Sequence, residues 1–152
     1  MKFDHDVHHR RSIRLKNYDY GQPGAYYSTI CTRNRECLFG EVINGGMVLN
    51  DIGLMVRQVW DELHEKYNGV ETDEFIIMPN HVHGIIILNG KIGHRRGLIN
   101  QTPTSMHWIM MKNPNQTLGK IIPHFKAKSS KLIRDKGLHY FQWQRNYLPR
   151  EI

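Results

Sequence analysis

Apolar residues recur along the chain with two different periods, and each change of period marks an element. Residues 26–32 (YYSTICT) are aromatic and β-branched, which predicts a strand. Two short apolar stretches follow between Cys37 and Leu49, split by Asn44-Gly45-Gly46. An Asn-Gly step favours the positive φ of a tight hairpin turn. Asn50-Asp51 then offers a helix cap, and Ile52, Met55, Val56, Val59, Trp60 and Leu63 repeat at three- and four-residue spacing. That pattern predicts one helix ending near Tyr67, with Asn68-Gly69 as its stop. Residues 75–78 and 81–88 predict two strands, paired antiparallel around a Pro79-Asn80 turn. Residues 89–116 carry glycines, prolines and basic residues without periodicity and predict a long loop. A second helix is predicted over 117–136, with Leu118, Ile121, Ile122, Phe125, Leu132 and Ile133 on its apolar side. Pro123 fits a helix interior poorly and predicts either a kink or the true start. Residues 139–148 (HYFQWQRNYL) predict a last aromatic strand or extended segment. The organisation expected is a basic arm over 1–20 followed by one domain over 21–152.

Composition narrows the class. A chain of 152 residues with 39% hydrophobic residues is long enough for one real core. Its longest apolar runs are strand-sized, far short of the roughly 20 residues of a membrane helix. Residues 1–11 are polar and charged and do not form a signal peptide, so a cytoplasmic location is expected. With 21 Lys+Arg against 14 Asp+Glu, the net charge is +7 and the isoelectric point about 9.5. Such a balance is compatible with nucleic-acid binding but does not single it out. Cys31 and Cys37 stand six apart, the wrong spacing for a zinc knuckle, and both are expected to be reduced thiols.

The candidate chemistry centres on His81-Val82-His83. In a strand, alternate side chains share one face, so both imidazoles point the same way. Two imidazoles side by side can hold one divalent cation, and a bound cation can polarise a phosphate. A chance pair among 10 histidines is the competing reading. The pair's position straight after a turn, on an otherwise apolar hairpin, favours a site. The second helix carries Lys120, Lys126, Lys128, Lys131, Arg134 and Lys136 opposite its apolar side. That face suits a DNA backbone, and an ordinary solvated face is the alternative. Tyr140, Phe141, Trp143 and Tyr147 near Arg145 suit either base stacking or the core.

Several strings then occur together and in order. They are Arg11-Ser-Ile-Arg-Leu-Lys16, Tyr18-Asp-Tyr20, Pro23-Gly-Ala-Tyr26, Thr29-Ile-Cys-Thr32, Asn34-Arg-Glu-Cys-Leu-Phe-Gly40, Met78-Pro-Asn-His-Val-His-Gly84, Gly119-Lys-Ile-Ile122, Phe125-Lys126 and Trp143-Gln-Arg-Asn-Tyr147. From about Arg10 to Tyr147 the chain resembles the REP-associated tyrosine transposases, of the His-hydrophobic-His superfamily of mobile elements. The resemblance implies an α+β, ferredoxin-like fold with helices packed on a central antiparallel sheet, often as a homodimer. It implies single-stranded or hairpin DNA as partner, and no membrane. It places Mg²⁺ or Mn²⁺ on His81 and His83, and a tyrosine that attacks the scissile phosphate and forms a phosphotyrosine link. DNA contacts are expected from Lys120, Lys126, Lys128, Lys131, Arg134 and Arg145. The sequence departs from the pattern at Tyr147-Leu-Pro-Arg-Glu-Ile152, where the family continues into the helix that carries its tyrosine. The expectation is therefore a domain lacking that helix, with Tyr147 as the fallback nucleophile. Three readings are open: the endonuclease and strand-transferase activity of the lineage persists, the chain binds DNA without cutting it, or it is an inert remnant.

Overall fold

A computed structural model of the chain describes residues 18–89 and 117–151. The predicted arm, apart from its last three residues, and the predicted loop, apart from Asn89, lie outside the described residues.

The first strand, β1 (Gly24–Cys31), alternates buried and half-buried positions along its length. A hairpin follows, β2 (Gly40–Ile43) and β3 (Gly46–Leu49), turning at Asn44 and Gly45 with φ of 50° and 80°. The Asn-Gly step thus takes the conformation its chemistry favours. Asn50 caps the next helix, α1 (Asp51–Asp61), by accepting from the Gly53 amide at 3.0 Å. The single predicted helix is divided after Asp61, and a further turn, α2 (Leu63–Lys66), ends at Tyr67. Gly69, at φ 75°, closes it as expected.

Two long strands come next, β4 (Val70–Met78) and β5 (His81–Leu88), paired antiparallel around Pro79-Asn80. β4 starts five residues earlier than predicted. Its first half is polar, and the register shifts between Thr72 and Phe75, so the alternation that would reveal it is broken. The last helix, α3 (Leu118–Asp135), starts before Pro123 and continues past it without a break. The final strand, β6 (Leu148–Glu151), is a correction to the sequence reading. Within residues 139–147, Phe141 and Trp143 are buried and alternate with exposed Gln142 and Gln144, but this stretch meets β1's end through a single Thr32–Trp143 bridge. The true ladder with β1 begins only at Leu148.

The main sheet has the order β4-β5-β1-β6, with every neighbour antiparallel. Leaving aside the β2–β3 hairpin, the succession is β-α-β-β-α-β, the ferredoxin-like topology. The helices lie on one face. Trp60 of α1 stacks on Phe75 at 4.3 Å, and Phe125 of α3 meets the Trp60 ring edge-on at 5.5 Å. Tyr26 and Ile30 of β1 and Val82 and Ile86 of β5 point into this core and are fully buried. The alternate residues point to the opposite face, where no described helix packs. Among the described residues no helix is long and apolar enough to cross a membrane.

Candidate metal centre on the open sheet face

Strand register decides what the open face displays. β5 presents His81, His83, Ile85 and Ile87 there. Directly across on β1, Cys31 faces His81, Thr29 faces His83 and Tyr27 faces Ile85. On the other flank Met78 faces His81 and Ile76 faces His83. The two histidines, predicted to share a face, do so.

Their geometry goes further. The Nε2 atoms of His81 and His83 face each other at 3.1 Å. Each ring is held from behind. The Nδ1 of His81 is 2.7 Å from Asn80 Oδ1, and the Nδ1 of His83 is 2.9 Å from Thr29 Oγ1. The Asn80 amide is itself fixed, because its Nδ2 donates to the Arg35 carbonyl at 3.1 Å. Its oxygen can then only accept, so the His81 proton sits on Nδ1 and Nε2 presents a lone pair. The Asn80 carbonyl in turn accepts from both the amide and the hydroxyl of Thr32. The Tyr27 ring stacks on His83 at 5.4 Å and 17°, setting its plane.

The tautomer of His83 then has two states. Thr29 is a hydroxyl and can donate or accept. With Thr29 donating, His83 carries its proton on Nε2 and shares it with His81. With Thr29 accepting, the proton sits on Nδ1 and two lone pairs converge, which repel unless a cation lies between them. Nitrogens 3.1 Å apart can both reach one ion at the ~2.1 Å of a metal–imidazole bond. Burial lowers the pKa of both rings, and for His81 the neighbouring His83 and Arg35 lower it further. Both imidazoles are therefore neutral at neutral pH. Among the described residues no third His, Cys, Asp or Glu completes a cluster.

The remaining predicted residues lie elsewhere. The α3 helix packs on the opposite face of the sheet, so its basic residues and the histidine pair are not brought together. They do not share a single free face either. Lys126 turns to the carbonyls of Gln144 and Arg145, Arg134 donates twice to the Phe141 carbonyl, and Lys128 pairs with Glu62. Lys120, Lys131 and Arg145 are exposed. Of the four aromatics near Arg145, Phe141, Trp143 and Tyr147 are core residues and only Tyr140 is exposed. Tyr147 is 6% exposed, so its ring packs in the core rather than standing on the open face with the histidines.

Sequence reading missed Asn80, taken only as a turn residue, and the roles of Thr29 and Tyr27. Asn80 adjoins the histidine motif and could have been suspected from that alone. Thr29 lies 54 positions from His83 and becomes visible only once strand register is known. Replacing Asn80 by alanine is expected to weaken Mn²⁺ binding by about 10- to 100-fold, the usual cost of removing a ligand's hydrogen-bond partner. Asn80→Asp, which still accepts from Nδ1, is expected to restore it. Calorimetric titration of the three proteins checks this, and equal affinities would show that Asn80 does not orient the ring.

A protein of Haemophilus influenzae (strain ATCC 51907 / DSM 11121 / KW20 / Rd), carrying only the description uncharacterized protein, is 42% identical over 151 residues, 99% of this chain and 83% of its own. The two belong to one family. No protein-family model matches the chain. The solved structure of a protein assigned as a transposase from Deinococcus radiodurans R1 superimposes with a TM-score of 0.54 at 13% identity, over 91% of this chain and 86% of that one. The family thus has the α+β fold seen in that transposase structure. A REP-associated tyrosine transposase bound to a REP hairpin gives a TM-score of 0.49 at 16% identity, over 91% of this chain and 61% of that one.

Proposed function

We propose that the chain is a transposase-like DNA-handling protein whose His81–His83 pair holds a divalent cation for phosphodiester cleavage. The observation that carries this reading is the pair of facing Nε2 atoms, each ring secured through its Nδ1 on the sheet face that no described helix covers. The Met78–Gly84 string and the Trp143–Tyr147 string support it through their resemblance to REP-associated tyrosine transposases, and the fold likeness agrees. A Mg²⁺ or Mn²⁺ ion at this place would draw charge from a phosphate oxygen. The chain's part is to present two neutral, pre-oriented imidazoles and to fix their planes with Asn80, Thr29 and Tyr27. Two imidazoles favour Mn²⁺ over Mg²⁺, which is bound mainly by oxygen.

A second reading, a module that binds DNA without cutting it, is favoured by the burial of Tyr147. A labelled single-stranded hairpin oligonucleotide incubated with Mn²⁺ separates the two. Label carried covalently on the protein in a denaturing gel, or a cleaved strand, supports the enzyme. Retardation on a native gel without either supports the module. Neither signal would sink both readings.

The lowered histidine pKa values give a pH prediction with a definite sign. Protons compete with the cation for Nε2, so Mn²⁺ affinity falls with pH. Because both values lie below the ordinary 6.5, affinity is expected to stay level down to that value and to drop only beneath it. A decline already complete at neutral pH would show that other groups bind the ion.

A further inference from the structure

The other face of the molecule carries a separate cluster. On α3, positions 120, 124, 128 and 131 hold Lys120, His124, Lys128 and Lys131. At 3.6 residues per turn they fall within an arc of about 80°, and successive turns advance about 5 to 6 Å along the axis. From α2, Lys66 adds its ammonium 3.4 Å from His124 Nδ1. Tyr67 meets the His124 ring edge-on at 5.6 Å. The carboxylate that reaches this cluster is Glu62, which pairs with Lys128, and its own pKa is lowered chiefly by that bond. Among the described residues, the ammonium groups of Lys66, Lys128 and Lys131 outnumber the Glu62 carboxylate on this surface, and the His124 imidazole lies among them.

We infer that Lys66, Lys120, His124, Lys128 and Lys131 form a track for the phosphate backbone of DNA, on the face opposite the histidine pair and with an affinity that rises on acidification. This rests on the reading that the chain handles DNA.

The chemistry of the Lys66–His124 contact sets the sign. Lysine can only donate, so His124 Nδ1 accepts and the ring is neutral. A second proton would remove that acceptor and set two cations side by side. Burial first, then Lys66 and Lys128, accordingly lower the pKa of His124. A phosphate seated among them reverses the charge balance and favours the imidazolium. Binding then takes up a proton, so lower pH strengthens it. The groups facing His124 are Lys66 and Tyr67 from α2 and its end, and Lys120 and Lys128 from its own helix.

The track differs from the basic face expected from sequence. It gains Lys66 and His124, it leaves out Lys136 and Arg145, and it loses Lys126 and Arg134, which hold the 141–145 segment instead.

The test uses the full chain and a fluorescent DNA hairpin with a duplex stem, followed by anisotropy over a range of salt at about pH 7.5 and about pH 6. Each phosphate contact contributes about 0.9 to the salt slope, so Lys66→Gln with Lys131→Gln is expected to reduce it by roughly two. The unaltered chain is expected to bind several-fold tighter at the lower pH. His124→Gln should abolish that gain. An unchanged slope in the lysine variant, or a gain that survives His124→Gln, overturns the track. If Mn²⁺-dependent cleavage persists alongside either result, the proposed function stands without it. Failure of the unaltered chain to retain the hairpin at any salt overturns both.

Discussion

Replacing Gly84 by valine is expected to leave the chain unable to fold, and by alanine to cost about 2 kcal/mol or more. Gly84 has ordinary strand conformation, so backbone freedom is not its reason. A Cβ there would lie 2.4 Å from two atoms of the Trp60 indole and 3.0 Å from Phe75. The indole cannot easily yield. It is 1% exposed, stacked on Phe75 and braced edge-on by Phe125. Close-packed interiors transmit such strain rather than absorb it. Urea unfolding of Gly84→Ala measures the cost, and the same change in a Trp60→Leu background should cost much less, because the clash is gone. Equal costs in both backgrounds would show that the indole is not the obstacle. The position matters beyond stability. Gly84 follows His83 directly, so the close approach of α1 to β5 helps set where the histidine strand lies.

The second large effect concerns the site itself. His81→Ala together with His83→Ala is expected to abolish Mn²⁺ binding in calorimetric titration, and each single change to weaken it by at least about 100-fold. A lone imidazole loses the chelating partner whose Nε2 lies 3.1 Å away. The fold should survive, because both side chains are half-buried on the open face and neither belongs to the core. The double variant should also lose cleavage of single-stranded DNA while retaining whatever binding the opposite face supplies. Loss of folding in the variant would instead make the pair a structural hydrogen bond.

Much of this arrangement was legible in the chain. The Asn50 cap, the Asn44-Gly45 turn and the shared face of His81 and His83 follow from local chemistry and period alone. What stayed hidden depends on partners distant in sequence. β4 begins in a polar stretch, Glu71 to Glu74, whose place in the sheet comes from pairing with β5 across a bulge. β6 is an edge strand with no alternation to announce it, so the aromatic run before it drew the prediction one element too early. The apolar half of α3 was read correctly from its spacing. The contacts of its basic half were not legible, since Lys126, Lys128 and Arg134 take acceptors on Gln144, Glu62 and Phe141 that no periodicity foretells. The same holds for Thr29, which reaches His83 Nδ1 only because β1 and β5 pair in one register.

The account turns on whether His81 and His83 hold one ion together. Electron spin-echo spectroscopy of Mn²⁺ bound to chain labelled with ¹⁵N-histidine reads that directly. Couplings to two histidine nitrogens, both lost in the His81→Ala, His83→Ala variant, are predicted. Bound Mn²⁺ without histidine coupling, or coupling that survives the double substitution, would contradict it.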